Sequence, residues 1–280
     1  MNAHGRIWRH ALVAAVLATA VACGSDSGTG VTDPGTTPPP AAVLLKDIVI
    51  DRLPSPFYHF DYDPAGTVTG VSYASELISY DVSYLGTRIK EMQTRALGNR
   101  VRLVYLYDEV GRVSAIRYVD ATGVTFTVLF YTYDGAQLTG VERDRRVEGG
   151  FIIDKTIGLT YYPDGNLQDL TEHRPAIDGV QDETTGVTHF ENYDKGLNVD
   201  GFGLIHDDFF DHFVLLPAVR LQKNNPGRET RSGDGVHYTV DYTYTYDGAG
   251  RPLTKLGALT ITNGTDVGQK VQTSSVFSYY

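Results

Sequence analysis

The residues with the most chemical potential in this 280-residue chain crowd into one run, His206-Asp207-Asp208-Phe209-Phe210-Asp211-His212. Asp208 and His212 are four apart and would share a helix face, where carboxylate and imidazole can hold a divalent metal for an assisted hydrolysis. The same run equally supplies the solvated side of an amphipathic helix, whose early acids suit the helix dipole. That plainer reading needs no further ligand, so no metal and no cofactor is expected. His59, His173, His189 and His237 lack ligand spacing and read as strand or loop residues. Asp63, Asp108, Asp134 and Asp247 offer one carboxylate each on separate turns, whereas calcium requires six to eight converging oxygens. No Gly-x-Ser-x-Gly elbow, phosphate loop or His-Glu-x-x-His helix occurs, and the chain is not expected to be an enzyme.

Tyrosine offers a different chemistry, with 19 copies in the chain. Tyr238, Val240, Tyr242, Tyr244 and Tyr246 alternate with Thr239, Asp241, Thr243 and Thr245, a period of two that marks a strand. One face thus collects four ring hydroxyls. Tyr238, Tyr242, Tyr244 and Tyr246 are candidate lining for a groove that takes an envelope glycan or an amphiphile, since tyrosine joins apolar area to a polar tip. Packing in a filled core is the default against which that groove must be weighed.

What positions these residues is a repeat. Tyr62-Asp63-Pro64-Ala65-Gly66, Tyr107-Asp108-Glu109-Val110-Gly111-Arg112-Val113 and Tyr246-Asp247-Gly248-Ala249-Gly250-Arg251-Pro252-Leu253 share one pattern. Looser copies begin at Tyr84, Tyr133, Tyr162 and Tyr193. Asp at the first turn position bonds its own downstream backbone, and Gly supplies positive φ, so each copy reads as a hairpin tip. Seven such tips imply about a dozen or more antiparallel strands in up-and-down order, and so large a sheet should curl. The fold class is therefore all-β, a curled meander of half-barrel or barrel-like form. Residues 197–235 interrupt the rhythm. There Ile205, Phe209, Phe213 and Leu216 recur at helical spacing before Pro217, which predicts one short amphipathic helix over 205–216, docked by Phe209 and Phe213. Arg143, Arg145 and Arg146, interleaved with Glu142, Asp144 and Glu148, read as a solvated loop.

The amino-terminal residues carry an address. Arg6, Arg9 and His10 precede an apolar run from Ala11 to Ala22, the pattern of a secretory signal. Twelve helical residues span about 18 Å, short of the ~30 Å hydrocarbon core. The chain's single Cys follows, and Ala20-Val21-Ala22-Cys23-Gly24 resembles the lipobox of bacterial lipoproteins, in which the Cys is lipidated. Residues 1–22 are read as the signal peptide, 23–42 as lipidated Cys23 and a Gly/Ser/Pro tether with too few apolar groups to fold, and 43–280 as one β domain. Lys and Arg number 24 against 34 Asp and Glu, a net charge of -10 that argues against nucleic acid as a partner.

The Tyr-Asp-x-x-Gly-Arg-Val/Leu spacing resembles the YD repeats of Rhs-type shell proteins. The whole layout of lipobox, tether and hairpins resembles a bacterial lipoprotein family of unknown function described as porin-like in fold. That resemblance implies a curved antiparallel sheet, partly or wholly closed, with no known activity and no catalytic residues. The expectation is a lipid-anchored cell-envelope protein of structural or ligand-binding type, at the periplasmic or surface face of the outer membrane. Its rivals are a membrane-spanning outer-membrane β-barrel and a hydrolase built on the 206–212 cluster. The barrel rival needs an outward apolar band about 25 Å tall, but Thr and Asp lie opposite the Tyr stripe and Arg102, Arg117 and Lys155 interrupt other strand-like runs.

Overall fold

Alternating apolar and polar residues between tight turns make strands of nearly every segment. The computed structural model describes residues 44–96, 100–199 and 214–280, all within the compact unit Ala42–Tyr280. The strands in chain order are β1 (Leu45–Ile50), β2 (Tyr58–Tyr62), β3 (Val68–Tyr73), β4 (Ile78–Leu85), β5 (Arg88–Thr94), β6 (Arg102–Tyr107), β7 (Val113–Val119) and β8 (Thr125–Asp134). They continue as β9 (Gln137–Val147), β10 (Gly150–Tyr161), β11 (Leu167–Arg174), β12 (Thr184–Glu191), β13 (Arg228–Gly233), β14 (Tyr238–Tyr246), β15 (Pro252–Ile261) and β16 (Lys270–Tyr279). Each pairs antiparallel with its sequence neighbours, and β1 pairs with β16, so the curled meander is a closed barrel. At the seam Ile48 lies opposite Phe277 and Asp47 opposite Ser278.

Because the strands run up and down, every turn after an even-numbered strand lies at one rim, and the Tyr-Asp repeat marks that rim. Its turn chemistry is as the sequence implies. The Asp108 carboxylate accepts the N–H groups of Val110 (3.1 Å) and Arg112 (2.8 Å), and Gly111 takes φ +89°, a region that costs a side chain. Asp63 and Asp247 repeat the arrangement. Tyr193-Asp194-Lys195-Gly196 departs from it and is no hairpin tip. There the Asp194 carboxylate accepts the N–H of Asn225, which lies at the far end of the long β12–β13 connection.

Tyrosines at this rim join neighbouring hairpins. Tyr62, Tyr84, Tyr107 and Tyr133 donate to the carbonyls of Leu45, Val68, Ile89 and Val113, at 2.7–2.9 Å. Tyr161, Tyr193 and Tyr279 do the same to Leu138, Leu167 and Pro252. The arginine of one repeat covers the ring of the next: Arg88 over Tyr107, Arg112 over Tyr133 and Arg251 over Tyr279, at 4.6–5.2 Å from the ring centre. Such a contact contributes about 0.5–1 kcal/mol at an exposed site. Burial pushes the phenols of Tyr84, Tyr133 and Tyr161 up to about 12, so they remain donors at any physiological pH.

Inside the barrel, β1 to β8 meet in a dense apolar core around Phe60, Tyr80, Met92, Leu103 and Ile116, each fully buried. A single-layered wall buries such rings on its lumenal side, so this sector of the lumen is filled with side chains. The β12–β13 connection adds to it. Val214, Leu215 and Leu216 join the core, and the Tyr105 hydroxyl donates to the Leu215 carbonyl at 2.8 Å and accepts its N–H at 3.2 Å. Residues 205–213 of the expected helix, with Phe209 and Phe213, lie outside the described residues. Residues 214–216 are described and are irregular rather than helical, and no helix occurs among the described residues.

Candidate functional site

The second sector of the inner wall, β9 to β15, has a different chemistry, which alternation and one bulge create. In β9, Arg143 and Arg145 occupy the inward positions between outward Glu142 and Asp144, pairing across to Lys155 and Ile152 of β10. The expected solvated loop is therefore a strand with a basic inner face. A register shift between Ile153 and Lys155 turns Asp154 inward as well, where it is 1% exposed. Arg143 holds it with two bonds, at 2.7 and 3.2 Å, and Arg145 stands 3.3 Å away. Beside them Glu172 takes Arg174 at 2.8 Å and Lys155 at 3.9 Å. Two buried or half-buried carboxylates thus serve four bases, an arrangement that would be costly if either acid were removed.

On β14 the four tyrosines singled out by alternation face the same lumen. Tyr238, Tyr242, Tyr244 and Tyr246 are half-buried, while Asp241, Thr243 and Thr245 between them are exposed outward. Tyr238 and Tyr242 donate to the two oxygens of Glu229, at 2.9 and 2.8 Å. Tyr244 donates to the Pro226 carbonyl at 3.1 Å and stacks on Tyr246, 6.1 Å between ring centres. Tyr246 bonds Asp194 and receives the Asn225 amide. Burial, then the Glu229 charge, pushes the Tyr238 and Tyr242 phenols far above their ordinary value. They are fixed donors, not acids or bases. The four rings form one wall, and each hydroxyl has a protein partner.

Two cations flank that wall. Arg231 lies opposite Tyr238 in register, and Lys255 lies opposite Tyr244 with its ammonium 4.5 Å over the Tyr242 ring. The Arg231 guanidinium crosses β12 at Gly186, where any Cβ would collide with it, and donates to the Thr188 hydroxyl at 3.2 Å. Sequence reasoning did not select Glu229, Arg231 or Lys255. Their signal is the period-two placement of charges beside polar residues in β13 and β15, which becomes legible only once the inward face is known.

The other sequence candidates are dispersed. Cys23, Asp208 and His212 lie outside the described residues, and among the described residues no group of three metal-ligating side chains converges. His59, His173 and His189 sit on the outer wall beside acids. His59 lies between Asp47 (2.6 Å) and Asp61 (3.1 Å), and His189 is 2.7 Å from Asp169. Asp47 also accepts the Ser278 hydroxyl at 2.9 Å, so this cluster stitches β2, β1 and β16 across the seam.

Among solved structures, the chain is similar to a porin-like protein from Bacteroides vulgatus, with a TM-score of 0.56 at 16% identity, over 85% of this chain and 99% of that one. It is also similar to a porin-like protein from Bacteroides uniformis, with a TM-score of 0.51 at 13% identity, over 80% and 89% of the two chains. At these identities the likeness concerns the fold, which is porin-like. No protein-family model and no curated protein matches the chain.

Proposed function

We propose that this chain is a lipid-anchored envelope protein, held through Cys23, whose barrel stands in water and binds a glycan or an amphiphile along its tyrosine wall, without catalysis. The observation that carries the reading is the polarity of the barrel wall. Outward positions around the circumference hold Asp61, Asp81, Arg102, Arg117, Asp169 and Asp241, and Asp81, Arg117 and Asp241 lie mid-strand. An outward Arg at the bilayer midplane costs about 2–4 kcal/mol. Outward Phe130, Ile153, Leu256 and Val276 are interspersed with these charges and with Thr and Ser, so they form no continuous belt. The inner wall, by contrast, carries a packed apolar sector, the reverse of a water-filled pore.

A membrane-spanning barrel is the second reading, supported by the closed sixteen-strand topology and the porin-like neighbours, which fit it equally well. Cys23→Ser in the full-length precursor separates the two. The proposed reading expects the variant in the soluble fraction after alkaline carbonate washing while the wild type stays with detergent. A variant that resists carbonate extraction as the wild type does would favour the spanning barrel.

A further inference from the structure

The inner wall separates charge in a way the whole chain does not. The chain carries net -10, yet the inward positions of β9 to β15 hold Arg143, Arg145, Lys155, Arg174, Arg231 and Lys255 against Asp154, Glu172 and Glu229. Acids dominate outside and bases inside. Arg231 is the sharpest case. Among the described residues no carboxylate lies within ion-pair reach of it, and its guanidinium is held by the neutral Thr188 hydroxyl. Glu229, nearest in sequence on the same face, has both oxygens engaged by Tyr238 and Tyr242. A half-buried guanidinium with its fork fixed in this way favours a carboxylate or phosphate partner.

The rest of the wall narrows the class. An acyl chain needs apolar surface, but the apolar sector of the lumen is already filled, in part by Val214–Leu216. The half-exposed sector offers tyrosine rings, Thr273 and Ser275, the mixture of flat apolar area and hydroxyls that suits a polyhydroxylated ring. From the level of Tyr238 to that of Tyr244 the strand rises about 20 Å, a span for several sugar units. We infer that the inner wall of β12 to β15 binds an acidic oligosaccharide, with Arg231 and Lys255 engaging its anionic groups and the tyrosine row its ring faces. This inference rests on the lumenal-ligand reading above and makes it specific.

The test is calorimetric titration of the mature protein, in a neutral detergent without a sugar headgroup, with trigalacturonic acid and with the uncharged maltotriose. The inference expects trigalacturonate to bind at least tenfold more tightly, with affinity falling as salt is raised. Arg231→Gln should weaken it tenfold or more, whereas Arg231→Lys should retain part of it. Arg228→Gln, on the same strand but facing outward against Asp241, should change nothing. Equal binding of the two sugars would overturn the acidic specificity while leaving a glycan-binding lumen in place. An equal loss from Arg228→Gln and Arg231→Gln would put the site on the outer wall and overturn the inference. Binding of neither sugar, with wild-type circular dichroism, would overturn both the inference and the glycan reading beneath it.

Discussion

Tyr105→Phe removes one oxygen from the chain and should destabilise it far more than such a change usually does. The Tyr105 hydroxyl satisfies both backbone groups of Leu215, donating to the carbonyl at 2.8 Å and accepting the N–H at 3.2 Å. The ring is 5% exposed and Leu215 is 3% exposed, so water cannot replace either bond without opening the core. A buried donor or acceptor left unsatisfied costs about 1–3 kcal/mol, and two of them together about 2–6 kcal/mol. Tyr107→Phe on the same strand is the internal control. Its hydroxyl serves one carbonyl, that of Ile89, at a half-buried rim position, and its loss should cost about 0.5–1.5 kcal/mol. Equilibrium urea unfolding followed by far-UV circular dichroism measures both. Trp8, the chain's single Trp, lies in the expected signal and gives no fluorescence handle after cleavage. If Tyr105→Phe costs no more than Tyr107→Phe, the docking of Val214–Leu216 into the barrel is wrong.

Gly111→Val should destabilise by about 1–3 kcal/mol, from a β-branched residue at φ +89°, with Gly111→Asn milder; identical unfolding midpoints for the two would refute the turn. Burial lowers the pKa of His59, but the Asp47 and Asp61 hydrogen bonds and charges outweigh it and raise the value above 6.5. Its contribution is therefore fully present below pH 6.5 and lost as pH rises through the raised value, a slope that thermal melts should show and that His59→Gln should flatten. The Arg251 N–H, with help from its guanidinium, holds the Asp247 carboxyl below 3.8. That stabilisation is present above pH 3.8 and lost as pH falls through the lowered value, so acid unfolding of Asp247→Asn should be less steep than that of the wild type.

Local chemistry made the hairpins readable, because Asp108 and Gly111 complete their turn within five residues and Thr243 and Tyr244 declare two faces by simple alternation. Closure was not readable in the same way. It depends on Ile48 meeting Phe277 and on Asp47 joining His59 to Ser278, contacts between distant segments that no local pattern encodes. Tyr62, Tyr84, Tyr107 and Tyr133 were visible, but their acceptors, carbonyls of the neighbouring hairpin, depend on the register between repeats. Arg143 and Arg145 carried a signal that was misread: bases alternating with Glu142 and Asp144 mark the two faces of a strand, and the bulge at Asp154 then concentrates charge on the inner one. The tyrosine wall was half legible. The common face of Tyr238, Tyr242, Tyr244 and Tyr246 follows from parity, whereas Glu229 and Arg231 join them only through the pairing of β13 with β14.

The central claim, a barrel with its polar wall in water and its rings within, is tested most directly by spin labels at Asp81→Cys, Arg117→Cys and Thr243→Cys in isolated membranes, with unlabelled-site wild type as background. All three positions are exposed and outward on different strands. The account predicts ready collision with a water-soluble nickel chelate and little with membrane-dissolved oxygen at all three; strong oxygen access with exclusion of the chelate would contradict it.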